Sequence, residues 1–331
     1  KYGSRIRKSS LLPVNPGTSK IGPRLSPSGG AITPASLAWP PTKSVLCTPR
    51  GRVTVGDSLI QRTIGLDALL LTFGTEVVTR TIAVANQKGG VAKTTTVASL
   101  GAAWAEMGQR VLLVDLDPQS CLTFSLGLDP EAVEFSIHDV LLGRVDCRLA
   151  IVPTEDGPDL LPSTIDLAGT EAHLLTKTGR EYALRSALDD VADEYDIIVL
   201  DCSPSLGVLT INALTAADEV LIPLQCETLS HRGVRQLLDT VADVQRLCNR
   251  GLTIRGVLPT MYDGRTNLAR AVLADVTERY QLPVLDPPIA KSVRFAEAPA
   301  AGRSVLATAN SSRGAQAYRE IAKKLMKDVV V

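Results

Sequence analysis

The run Ile82-Ala83-Val84-Ala85-Asn86-Gln87-Lys88-Gly89-Gly90-Val91-Ala92-Lys93-Thr94-Thr95 decides the fold. Four apolar residues make a short strand pattern, a glycine turn follows, and helical spacing begins at once over 94–107. A strand that feeds a helix through a glycine turn makes an anion site. The first helical N–H groups have no partner inside the helix, and the positive helix end points at whatever sits in the turn. Gly89 and Gly90 permit positive φ and close approach of backbone to a phosphate. Lys93 is spaced to reach the outer phosphates of a nucleotide, and the Thr94 hydroxyl suits Mg²⁺.

Outward from this run the same alternation continues. Strand-like runs stand at 81–85, 111–114, 160–161, 197–200, 220–223 and 254–258. Helix-like stretches stand at 94–107, 180–193, 205–216, 232–248, 268–280 and 313–329. Apolar β-branched runs alternating with amphipathic helices predict an α/β fold, doubly wound, with a mostly parallel sheet covered by helices on both faces. No internal repeat interrupts the pattern.

Composition narrows the function. Aromatic residues are only 4% of 331, too few for single-strand binding by base stacking. No apolar run approaches the roughly 18 residues of a membrane-spanning helix. The six cysteines (Cys47, Cys121, Cys147, Cys202, Cys226, Cys248) contain no CxxC, which excludes a short-spaced zinc or redox motif and predicts a reducing, cytoplasmic setting.

Formal net charge is zero, but it is a cancellation. Residues 1–79 hold ten basic and three acidic residues, a net +7; residues 80–331 hold 25 basic and 32 acidic, a net −7. Within 1–52 there are eight prolines and no acid. Such a segment cannot bury enough apolar surface to offset its ordering entropy, so 1–77 is expected to be disordered. It reads first as sequence upstream of a domain start near Val78-Thr79-Arg80. Its second reading is a basic arm for nucleic acid or acidic lipid. The domain is expected over 78–331.

Three further runs surround the glycine turn. Val111-Leu112-Leu113-Val114-Asp115-Leu116-Asp117-Pro118-Gln119 is a strand ending in two carboxylates two residues apart, on one face of the strand. Ile197-Ile198-Val199-Leu200-Asp201 is four apolar residues followed by an acid. Leu161-Pro162-Ser163-Thr164-Ile165-Asp166-Leu167-Ala168-Gly169-Thr170-Glu171 follows the 160–161 strand. Carboxylates at the C-terminal edge of a parallel sheet, beside a phosphate turn, suit Mg²⁺ or an ordered water.

The strict G-x-x-x-x-G-K-[ST] pattern fails, since its glycine positions hold Gln87 and Ala92. The K-G-G-x-x-K-T pattern from Lys88 to Thr94 instead resembles the deviant Walker A loop of the ParA/MinD group of P-loop ATPases, and closely its ParA/Soj branch. The 111–119, 161–171 and 197–201 runs resemble that family too. So do Pro259-Thr260-Met261-Tyr262-Asp263-Gly264-Arg265-Thr266 and Ile289-Ala290-Lys291-Ser292-Val293-Arg294-Phe295-Ala296-Glu297-Ala298-Pro299. The likeness spans about 250 residues, with the motifs in family order. It departs at Thr228-Leu229-Ser230-His231-Arg232-Gly233, where two aromatics are missing and Arg232 stands for an acid.

The resemblance implies an ATPase using ATP and Mg²⁺. Gly89, Gly90, Val91, Ala92, Lys93, Thr94 and Thr95 would bind nucleotide, and Thr94, Asp201 and Asp115 would surround the metal. Asp117 would orient the attacking water, and Lys88 would reach across an ATP-dependent homodimer. Slow turnover stimulated by a ParB-like partner and nonspecific binding of double-stranded DNA on the nucleoid follow from the same likeness, with Arg265, Lys291, Arg294 and Arg303 as the basic surface. Two alternatives remain. One is a MinD-like membrane ATPase using the amphipathic tail, where Tyr318, Ile321, Leu325 and Val329 share a face. The other is a scaffold that binds nucleotide and barely hydrolyses it.

Overall fold

The computed structural model describes residues 79–227 and 230–327. The expectations for 1–77, for Val329 and for the first two residues of the 228–233 departure lie outside the described residues.

Among the described residues one seven-stranded sheet runs in the order β3-β4-β2-β5-β1-β6-β7. The strands are β1 (Arg80–Val84), β2 (Val111–Leu116), β3 (Val152–Pro153), β4 (Asp159–Leu161), β5 (Ile197–Cys202), β6 (Glu219–Gln225) and β7 (Thr253–Thr260). All neighbours pair parallel except β3, which pairs antiparallel with β4 at the edge. The chain leaves β1 for β2, runs out to the edge strand β3, turns back into β4, inserts β5 between β2 and β1, then crosses to β6 and β7. That reversal opens a crevice at the carboxyl ends of the central strands, where α/β sheets bind ligands.

The helices that bear on the site are α1 (Lys93–Glu106), α2 (Cys121–Ser125), α3 (Val208–Ala216), α4 (Ser230–Leu247), α5 (Asn267–Tyr280), α6 (Arg294–Glu297) and α7 (Arg313–Lys327). Alternate strand residues face opposite layers. Ile82, Val84 and Leu113 pack with Val97, Leu100 and Trp104 of α1 and with Tyr318, Ile321 and Leu325 of α7. Ala83, Leu112 and Val114 pack with Leu209 and Leu214 of α3 and Val234 and Val241 of α4. Both faces are therefore buried, which is why the strands read as continuous apolar runs.

Two sequence expectations shift, and one strand is new. The 180–193 helix breaks into a 3-10 turn (Arg180–Tyr182), an α-helix (Ala183–Asp189) and a second 3-10 turn (Ala192–Glu194). Helix α3 starts at Val208 rather than 205, with the extended Gly207 as its N-cap. The edge strand β3 is only two residues long and carries no periodicity to read.

The amphipathic tail is spent on the sheet. Arg80 donates from Nη1 to the Leu325 carbonyl at 2.6 Å and pairs with Glu219, and Trp104 Nε1 donates to the Ala322 carbonyl at 3.2 Å. Tyr318, Ile321 and Leu325 are fully buried. No helix among the described residues is long and apolar enough to cross a membrane.

Helix α1 lies close on β2 at Gly101, where an added Cβ would sit 2.7 Å from Leu113 Cδ2. Gly101→Val should overpack this contact and cost about 1–3 kcal/mol, read as a lower urea midpoint with an unchanged slope.

Candidate active site

The glycine loop is staked from both sides. Asn86 Nδ2 donates to the Pro223 carbonyl on β6 at 2.7 Å, and Asn86 Oδ1 accepts from Lys88 N at 3.0 Å. On the far side the buried Thr260 hydroxyl of β7 donates to the Val91 carbonyl at 3.0 Å. Val91 is buried while Gly89 and Gly90 are exposed, and Gly90 has φ 71°. Ala92 also lies in the left-handed region, at φ 67°, where its Cβ costs about 1 kcal/mol or more. The alanine thus keeps a glycine conformation instead of changing the turn. No side chain caps the start of α1, so its first amides remain available to an anion.

Beneath the loop two carboxylates stand side by side, since Asp115 on β2 is the direct cross-strand partner of Asp201 on β5. Both are buried. Asp115 is hydrogen-bonded: Oδ2 accepts from Thr123 N at 2.9 Å and Thr123 Oγ1 at 2.8 Å, and Oδ1 from Asp117 N at 3.1 Å. Asp201 is not, as neither of its carboxylate oxygens completes a hydrogen bond of normal geometry. Burial raises Asp115 to about 6 against the pull of its hydrogen bonds. Burial, then the neighbouring Asp115, raises Asp201 well above the usual carboxylate range, with Thr94 and Lys93 opposing. Lys93 is buried too, and its pKa is lowered by desolvation despite Asp201, Cys202 and Asp117 nearby.

These groups fit Mg²⁺. A buried carboxylate without donors, beside a threonine hydroxyl and under a turn with free amides, is the hard oxygen set that Mg²⁺ shares with phosphates. Asp201 and Thr94 carry that argument. Asp115 faces inward to Thr123, so it holds the loop that carries Asp117 rather than offering free oxygens.

Above them opens a cleft of about 480 Å³, whose lining includes Lys93, Thr94, Asp117, Met261, Lys291 and Phe295. Cys121, at the start of α2, also lines it; neither Cys121 nor Phe295 was anticipated as part of the site. Asp117 is half-buried at the mouth, its Oδ1 accepting from Gln119 N at 3.0 Å. Lys88 is half-exposed, its Nζ 2.7 Å from Glu227 Oε2 and 3.4 Å from Gln225 Oε1.

The proposed basic surface is mixed. Arg265 is exposed and makes a two-pronged pair with Asp263 at 2.9 Å, which holds that carboxyl down to about 2. Arg294 is exposed at the start of α6 and paired with Glu297 at 2.8 Å. Lys291 is exposed at the cleft rim. Arg303 departs from the expectation. Its guanidinium clasps the buried Asp156 side chain and Glu155, and Asp156 in turn accepts from Ser304 N, so Arg303 ties the 155–156 turn to the chain after α6.

A glycine turn, a buried lysine and two sheet-edge carboxylates around one cleft define a P-loop nucleotide hydrolase of the deviant Walker A type. A family model described as an AAA domain matches residues 79–254. The sporulation initiation inhibitor protein Soj of Bacillus subtilis is 46% identical over 245 residues, 74% of this chain and 97% of its own. The chromosome partitioning protein ParA of Caulobacter vibrioides is 42% identical over 250 residues, 75% of this chain and 94% of its own. A crystal structure of cobyrinic acid a,c-diamide synthase from Mycobacterium smegmatis, with bound ATP analog and magnesium, is 56% identical. It has a TM-score of 0.69 and covers 76% of this chain and 95% of that one. The chain belongs to the ParA/Soj family of ATPases.

The buried carboxylate pair sets a pH dependence. Because folding raises the Asp115 and Asp201 pKa values, the folded chain keeps protons that the unfolded chain has released. Stability from Asp115 is present at acid pH and is lost as pH rises from about 4 through about 6, and Asp201, also raised, acts in the same direction. Asp201→Asn removes the buried charge. At pH 8 without nucleotide it should melt higher than the parent, by the equivalent of about 1–2 kcal/mol, and lose the thermal shift given by Mg·ATP. A lower melting point with the Mg·ATP shift retained would contradict the assignment.

Proposed function

We propose that the chain is a Mg·ATP-dependent partitioning ATPase whose ATP-bound homodimer binds double-stranded DNA without sequence preference. The observation that carries this reading is that Lys93, Thr94 and Asp117 line one cleft and the buried Asp201 carboxylate lies within electrostatic reach of all three. Lys93 and the free amides of the loop and α1 hold the triphosphate. Thr94 and Asp201 would hold Mg²⁺, which would supply positive charge to the triphosphate. Asp117 at the mouth orients water toward the γ-phosphate. Lys88 leaves Glu227 and reaches the nucleotide of a second copy, so ATP itself drives assembly.

The net −7 of residues 80–331 repels DNA, so binding depends on a local patch. Arg265, Lys291 and Arg294 supply it, with phosphates displacing Asp263 and Glu297 from the two arginines. Two copies double the contacts, which makes ATP a switch on DNA affinity. A ParB-like partner accelerates hydrolysis and resets the switch, and the working place is the nucleoid. The buried apolar face of α7 argues against the membrane reading, because the residues a bilayer would take are already packed on the sheet.

The Mycobacterium smegmatis neighbour's name favours a second reading, in which the acceptor is a substrate acid rather than water. The half-buried Asp117 beside the cleft favours water. ATP turnover that requires an added acid would support the second reading.

Two measurements follow. Asp117→Ala should bind ATP, form a stable ATP dimer and stay on DNA while turnover falls by at least about 100-fold; a variant that neither dimerises nor retains DNA contradicts the role of Asp117. Arg265→Glu with Arg294→Glu should leave ATP affinity unchanged and lower the salt slope of DNA binding by about two units per protomer. An unchanged slope would move the DNA site elsewhere on the chain.

A further inference from the structure

The loop that carries Asp117 is held by a buried relay from a neighbouring strand. Leu161 of β4 pairs with Val114 of β2, so the residues after β4 run beside the residues after β2. Two positions on, Ser163 is fully buried. Its Oγ donates to the Asp117 carbonyl at 2.9 Å, and its N–H donates to Thr123 Oγ1, also at 2.9 Å. Thr123 is fully buried as well. Its hydroxyl passes the proton donation on to Asp115 Oδ2 at 2.8 Å, and Asp115 Oδ1 returns to Asp117 by accepting from its N–H at 3.1 Å. The bonds close a ring: Asp117, Ser163, Thr123, Asp115, Asp117. Both the N–H and the carbonyl of Asp117 are therefore fixed from the protein interior, while its carboxylate faces the cleft.

We infer that Ser163 is a positioning residue for hydrolysis, acting through the Asp117 backbone and touching neither nucleotide nor water. The inference rests on the reading of Asp117 as the group that orients water. A serine suits the place for a physical reason. Its hydroxyl adds a second donor to a carbonyl that already accepts from Ser120 N at 2.9 Å. Removing the hydroxyl leaves no orphaned acceptor, so its loss falls on geometry and little on folding. A displacement of about 1 Å in an orienting group is enough to cost up to about 100-fold in rate. Thr123 carries a heavier structural share. Its hydroxyl is at once donor to Asp115 and acceptor from Ser163, and removing it strands the buried Ser163 N–H.

A double-mutant cycle on the full chain tests this. ATP turnover and ATP binding are measured for the parent, Ser163→Ala, Asp117→Ala and the double variant, with melting temperature recorded for each. Ser163→Ala should lower kcat about 10-fold with KM within about twofold and an unchanged melting temperature. In the Asp117→Ala background the same change should have no further effect on residual turnover. Parent-like kcat in Ser163→Ala overturns the inference, and so does an equal loss in both backgrounds, which would mark a diffuse structural effect. Parent-like kcat in Asp117→Ala removes the underlying reading and the inference with it, and the two failures are told apart by which single variant is silent.

Discussion

Two carboxylates on neighbouring parallel strands, buried and side by side, are the constraint around which the site is arranged. Asp115 and Asp201 share a register, and like charges at that separation cannot both stay ionised cheaply in a dry interior. The protein treats them differently. Asp115 receives three hydrogen bonds and becomes a structural anchor, while Asp201 receives none of normal geometry and waits for a cation. Its exposure to solvent is 1%, so the free chain bears the cost of an unpaired buried acid. In the proposed reading, Mg²⁺ bound at Asp201 would remove that cost.

The loop above follows the same economy. Its strained residue, Ala92, and its positive-φ glycine, Gly90, hold amides toward the cleft. Asn86 and Thr260 prevent the loop from relaxing by tying it to β6 and β7. Preorganisation of this kind spends stability in the free state to avoid reorganisation when the phosphate arrives.

Much of this could be read from the chain, and the limits have physical causes. The parallel sheet was legible because strands buried on both faces are continuous apolar runs, and because β1 passes into α1 through an unmistakable glycine turn. Lys93, Thr94 and Asp201 were legible because each sits at a strand or helix end, where sequence position nearly dictates spatial position. Ser163, Thr123 and Glu227 were not singled out, since their roles depend on which loops lie side by side, and that is set by strand order. The ion pairs of Arg303 were not legible for the same reason: its partners, Glu155 and Asp156, are about 150 positions away along the chain. The neutral total charge concealed an acidic ATPase region, and the structure adds that Arg265 and Arg294 already hold acids of their own.

The central claim is that Asp201, a fully buried acid whose pKa burial and Asp115 raise, is the carboxylate that takes Mg²⁺ with ATP. Calorimetric titration of the chain with Mg·ATP near pH 6, repeated in buffers of different ionisation enthalpy, counts protons released on binding. The expected result is a greater release from the parent than from Asp201→Asn. Equal release from both, or net proton uptake by the parent, would contradict the account.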